Sequence, residues 1–76
     1  MKAKFIELLT AQYAVLFESN PEYAMAKARY TPAALAEKMT NGLLDGSANK
    51  DGIAIKAACK ALKIAHTYKS IQGALK

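Results

Sequence analysis

An all-α fold, a compact bundle of four to five short helices, is what this chain predicts, and three observations carry that reading. Apolar residues recur at steps of three and four through most of the 76 residues. Sixteen alanines, with many leucines and lysines, stand against one valine and no tryptophan, a composition that favours helix over sheet. Two prolines each come directly after a residue able to cap a helix, Pro21 behind Asn20 and Pro32 behind Thr31. At this length there is room for one domain with a small core, so residues 1–76 are read as a single helical domain of marginal stability.

The first helix is expected over Ala3 to Glu18, where Phe5, Leu8, Leu9, Tyr13, Leu16 and Phe17 share one face. It breaks at Ser19-Asn20-Pro21-Glu22. Ser19 or Asn20 can cap a new helix, Pro21 suits its first position, and Glu22 lies three after Ser19 as in a capping box. This short second helix is expected from Pro21 to Ala28, offering Tyr23 and Met25 or Ala26 to the core. Thr31 and Pro32 repeat the boundary grammar, and Leu35, Met39 and Leu43 form the inner face of a third helix ending near Leu44. Asp45 to Gly52 is the main loop, rich in turn-forming residues. A fourth helix is expected from Lys50 or Asp51 to Lys63, capped by Ser47, Asn49 or Asp51. A fifth starts at His66 or Thr67, with Tyr68, Ile71 and Leu75 inward and Gly73 weakening its last turn. The expected core is Phe5, Leu8, Leu9, Leu16, Leu35, Met39, Leu43, Ile55, Leu62, Ile64, Tyr68 and Ile71.

The net charge is +5, and it is unevenly placed. Residues 1–38 hold five cations against four glutamates, whereas residues 39–76 hold six lysines against Asp45 and Asp51. From Gly52 onward Lys56, Lys60, Lys63, Lys69 and Lys76 meet no acidic residue at all. Lys56, Lys60 and Lys63 fall at helical spacing opposite Ile55, Ala58, Cys59 and Leu62, so a cationic ridge faces outward over an apolar stripe. Fixed positive charge of this kind attracts phosphate backbones or an acidic protein surface.

Residues 55–75 have the pattern of a helix-turn-helix. Small Ala57, Ala58 and Ala61 permit close packing, Ile64 is an apolar turn residue, and Tyr68 and Ile71 anchor a second helix. His66, Thr67, Lys69, Ser70, Gln72 and Lys76 would then be exposed, hydrogen-bonding types suited to phosphates and base edges. The same pattern also arises in any amphipathic pair whose lysines solvate the surface.

Other chemistry has less to stand on. Asp45, Ser47, Asn49 and Asp51 alternate like calcium ligands, but the last position of an EF-hand loop counted from Asp45 is Lys56 rather than a glutamate, and turn formation or capping accounts for them. The loop has no Gly-Lys-Ser/Thr ending for a phosphate-binding loop. His66 and Cys59 are single residues of their kind, too few for a zinc site, and Cys59 lies on the buried stripe as a small core residue rather than a nucleophile. No cofactor, metal or enzymatic activity is expected. Tyr13, Tyr23, Tyr30 and Tyr68 fit a core better than a stacking platform. One cysteine cannot form an internal disulfide, and no apolar run is long enough for a signal peptide or a membrane span, so a soluble protein of the reducing cytoplasm is expected.

The run Thr40-Asn41-Gly42-Leu43-Leu44-Asp45-Gly46-Ser47-Ala48-Asn49-Lys50-Asp51-Gly52, with residues 55–62 and His66-Thr67-Tyr68-Lys69-Ser70-Ile71 after it, resembles small uncharacterised proteins of tailed bacteriophages. Pro21-Glu22-Tyr23 and Thr31-Pro32 extend the resemblance over most of the chain. It implies a phage product acting in the host bacterial cytoplasm, and Lys63 stands where such proteins often have glycine. Two functions are expected. One is a DNA-binding accessory or regulatory factor in which Lys56, Lys60, Lys63 and Lys69 meet phosphates while His66, Thr67, Ser70 and Gln72 approach bases. The other is a non-enzymatic interaction protein that binds and modulates an acidic host protein. A homodimer is also expected, because a chain that is 53% hydrophobic is too short to bury all of that surface.

Overall fold

The computed structural model describes residues 1–76. It contains five α-helices and no strand: α1 (Lys2–Ser19), α2 (Ala24–Arg29), α3 (Pro32–Asp45), α4 (Ile53–Leu62) and α5 (Tyr68–Leu75), with a 3₁₀ turn at Pro21–Tyr23. None of the helices is long and apolar enough to cross a membrane. The Cα radius of gyration, 11.4 Å, is that of a closely packed chain of this length.

Both proline boundaries act through the residue ahead of them. Asn20 and Thr31 are extended, as the proline ring requires of its predecessor, and each then caps the next element. Asn20 Oδ1 accepts the Glu22 N–H and Thr31 Oγ1 accepts the Ala34 N–H. The expected Ser19–Glu22 capping box does not form. Ser19 is still inside α1, where its hydroxyl donates to the Val15 carbonyl. The second helix is correspondingly split, its first turn tightened to 3₁₀ before six α-helical residues.

α1 is the central strut, packed chiefly against α3 and then α4, while α5 leans on α3. Phe5, Leu9, Tyr13, Leu16 and Phe17 of α1 meet Leu35, Ala36 and Leu43 of α3, Ala54, Ile55, Ala58 and Cys59 of α4, and Ile71 and Leu75 of α5 in one contiguous core. Thr40 is buried among them, its hydroxyl satisfied by the Ala36 carbonyl. Of the expected core, Leu8, Met39, Leu62 and Ile64 are half-buried against its edge, and Tyr68 is at the surface. Tyr23 is likewise half-buried, completing an aromatic triangle with Tyr13 and Phe17 at centroid separations of 6.1–6.4 Å. Ala26, not the exposed Met25, is the inward residue of α2.

The loop ahead of α4 occupies residues 46–52, inside the expected Asp45–Gly52 span. α3 ends at Gly46, whose φ of 82° only glycine adopts freely, and the chain folds back so that the Ala48 N–H donates to the Gly42 carbonyl at 3.0 Å. Asp45 and Asn49 use their side-chain oxygens to accept the Ser47 and Asp51 N–H groups, turns closed locally. None of Ser47, Asn49 and Asp51 caps α4. The cap is Gly52, which has no side-chain oxygen, so the helix starts at Ile53 rather than at Lys50 or Asp51. Gly73 lies within α5, which runs to the buried Leu75 as expected.

Candidate functional site

α4 owes its orientation to four buried side chains, Ala54, Ile55, Ala58 and Cys59, which occupy one face and press it onto α1. The opposite face is therefore set by helical geometry, and Lys56 and Lys60 stand on it, exposed. Lys63 comes at the end of α4 and Lys69 lies in the first turn of α5, both exposed. No carboxylate lies within ion-pair distance of any of these four; the ion pairs of the protein engage Lys4, Lys27, Lys50 and His66 instead. The ridge expected from the spacing is thus open to an anionic partner.

The polar residues expected beside it have other employment. Thr67 Oγ1 accepts the Ser70 N–H and caps α5, which begins at Tyr68. His66 Nε2 donates to the Lys50 carbonyl at 2.6 Å and lies 3.7 Å from Asp51 Oδ1. Gln72 Nε2 donates to the Leu43 carbonyl at 3.0 Å, so this residue faces α3 rather than solvent. Ser70 is half-buried. The tyrosine placed in the core by its spacing, Tyr68, instead accepts the Lys50 N–H and donates to the Ala48 carbonyl through one hydroxyl. His66 and Gln72 fasten the loop and α5 to the body of the protein, Thr67 caps α5 locally, and the structure leaves Lys56, Lys60, Lys63, Lys69 and Lys76 exposed and without an ion-pair partner.

The packing also differs from a helix-turn-helix, whose two helices lean on each other. Here α4 and α5 are joined by five residues, Lys63 to Thr67, and α5 docks on α3 and α1 rather than along α4. The cause lies in the buried residues of α5. Ile71 and Leu75 enter the common core that also holds Leu43, and Gln72 ties the same helix to the end of α3.

Asp51 gathers the remaining charge. Its carboxyl is held below the ordinary range first by the hydrogen bond from Lys50 Nζ at 2.9 Å, with smaller help from the charges of Lys50, His66 and Lys56. The Lys50 ammonium also sits 5.7 Å from the centre of the Tyr68 ring. No three His, Cys, Asp or Glu side chains converge in the manner of a metal site. The Cys59 thiol is buried, and burial pushes its pKa up, away from the thiolate a nucleophile needs. The concavity of the surface, about 290 Å³, lies at the opposite junction of α1 and α2 between Phe17, Pro21, Ala24 and the Glu18–Lys27 ion pair, and none of the ridge residues lines it.

Sequence reasoning missed Lys50 as a structural hub and Gln72 as an inward contact. A signal existed for Gln72, which flanks Ile71 and lies three before Leu75 on the stripe side of α5. None existed for His66, which precedes the helix and belongs to no periodic face. Comparison of the chain with protein-family models, with curated proteins and with solved structures finds no match.

Proposed function

We propose that this protein is a non-enzymatic nucleic-acid-binding factor that holds the phosphate backbone through Lys56, Lys60, Lys63 and Lys69, without reading bases through α5. The observation that carries this is four exposed lysines, three along α4 and its end and one on α5, with no carboxylate within ion-pair distance, on a stretch of chain with no acidic residue. Phosphate contact needs no more than such a surface, and it provides affinity without sequence information. Base readout needs free hydrogen-bonding side chains, and three of the four residues suited to it, His66, Thr67 and Gln72, already have partners within the fold. Tight recognition of one operator is therefore not part of this reading. The resemblance to small tailed-phage proteins supports setting such binding in the cytoplasm of an infected bacterium, as an accessory to a process on phage or host DNA.

The test is the salt dependence of binding to a fluorescent duplex and to a single strand of unrelated sequence. Affinity should fall with a slope of about −0.9 per phosphate contact on a log–log scale, or about three to four in total for this ridge on duplex DNA. Lys56→Glu with Lys60→Glu should abolish it. Absence of binding even at low ionic strength would overturn the proposal. Capture of a stoichiometric acidic protein by the wild type, but not by that double variant, in nuclease-treated bacterial lysate would replace nucleic acid by protein as the partner.

A further inference from the structure

α4 ends in a Schellman motif. The Ile64 N–H donates to the Cys59 carbonyl at 2.9 Å and the Lys63 N–H to the Lys60 carbonyl at 3.3 Å, the two bonds by which such a terminus satisfies its last carbonyls. The motif requires a left-handed residue, and here that residue is Lys63, with φ 58° and ψ 40°. It is the one non-glycine residue of the protein with positive φ. In that conformation Cβ crowds the next carbonyl along the chain, which is why glycine is the usual occupant and asparagine the second choice. The end of α3 uses glycine for the corresponding task, at Gly46, around which nothing lies within 4 Å of where a Cβ would be.

Resting on the nucleic-acid function proposed for the ridge, we infer that this strained position carries lysine for its ammonium, as a dedicated phosphate contact that continues the lysines of α4 past the end of the helix. Nothing in the fold uses its side chain. It is exposed, makes no side-chain hydrogen bond or ion pair, and covers no aromatic ring. The competing structural role is charge compensation at the C-terminus of α4, where a cation interacts favourably with the helix dipole. The two roles predict opposite signs for one substitution. If strain dominates, glycine at this position stabilises the fold; if the dipole dominates, glycine weakens it.

The experiment measures melting temperature and duplex affinity together for the wild type, Lys63→Gly, Lys63→Asn, Lys63→Arg and the remote control Lys2→Ala. Lys63→Gly should melt a few degrees higher, roughly 4 °C for a domain of this size, yet bind DNA roughly three- to tenfold more weakly, with a salt slope shallower by about 0.9. Lys63→Asn should bind as weakly as Lys63→Gly, Lys63→Arg should bind like the wild type, and Lys2→Ala should change binding least. A lower melting temperature for Lys63→Gly would overturn the inference of strain. Wild-type binding by Lys63→Gly, or a loss no larger than that of Lys2→Ala, would overturn the role of Lys63 while leaving the function of the ridge intact. Failure of the wild type itself to bind DNA would overturn both.

Discussion

The two ends of the chain are held to the molecule by different physics. α1, with eighteen residues, buries Phe5, Leu9, Tyr13, Leu16 and Phe17, and apart from the exposed Glu18–Lys27 ion pair to α2 its side-chain polar contacts stay within the helix. α5, with eight residues, buries only Ile71 and Leu75. Yet it and His66 just ahead of it supply all four side-chain hydrogen bonds that span more than four residues, namely Tyr68 with Lys50, Tyr68 with Ala48, His66 with Lys50 and Gln72 with Leu43. A long amphipathic helix docks through apolar area, which is additive and tolerant of direction. A short helix lacks that area, and its place and register depend on a few directional bonds. The polar residues of a short helix are therefore the ones most readily mistaken for free surface.

The largest effects should come from the apolar pegs. Leu9→Ala and Ile71→Ala should each cost about 2–5 kcal/mol, enough to unfold most of a domain this small, whereas the half-buried Leu62→Ala should cost less. Urea denaturation monitored by circular dichroism ranks the three. If α5 is a separable unit, Ile71→Ala will instead release the amides of residues 68–75 to hydrogen exchange while α1 stays protected, and the two ends will prove independent in stability as well as in mechanism.

Next in size is the close approach behind α3. A Cβ on Gly42 would lie 2.7 Å from Ala48 Cβ, so Gly42→Ala should cost about 1–2 kcal/mol despite the better helix propensity of alanine. Adding Ala48→Gly should recover much of the loss, a coupling that a double-mutant cycle measures directly. Tyr68→Phe should cost about 1 kcal/mol, because one hydroxyl both accepts from Lys50 and donates to Ala48. Faster exchange of the Lys50 amide in that variant would place the loss at the clasp. An unchanged midpoint would reduce α5 to the same apolar docking as α1.

α1 and the loop that α5 clasps should also respond to opposite extremes of pH. Burial holds the Tyr13 hydroxyl well above the ordinary tyrosine value of about 10, so the unfolded chain loses this proton first as pH rises. The stability it contributes is whole below that value and declines as pH climbs past it, and Tyr13→Phe should flatten the alkaline limb. Asp51 behaves in the reverse sense, its carboxyl lowered chiefly by the Lys50 hydrogen bond. Its contribution is present above the ordinary carboxylate range and is lost as pH falls through that range toward the folded value, so Asp51→Asn should flatten the acid limb. Melting temperatures from about pH 3 to 11, a span that brackets the ordinary carboxylate and tyrosine values, separate these limbs for the wild type and both variants. The smallest change belongs to Lys56→Glu with Lys60→Glu, whose exposed side chains should alter stability by no more than about 0.5 kcal/mol each.

Everything legible from the residues alone is local or periodic. The all-α class, the two proline-led boundaries with Thr31 as a cap, the inward faces of α1 and α3, and the outward Lys56 and Lys60 all derive from the 3.6-residue period or from one residue acting on its neighbour, and each is found as expected. Which helix α5 leans on, and with it the fate of Tyr68, His66 and Gln72, was settled only when the chain packed. Those choices depend on partners 16 to 29 residues away, the separations of the bonds that hold them. A helical period specifies which side of a segment turns inward. It carries no term for the backbone carbonyl that a distant loop brings within reach, and such carbonyls, at Lys50 and Leu43, turned His66 and Gln72 of the expected base-reading surface into fastenings of the fold, as the Ala48 carbonyl did for Tyr68 of the expected core.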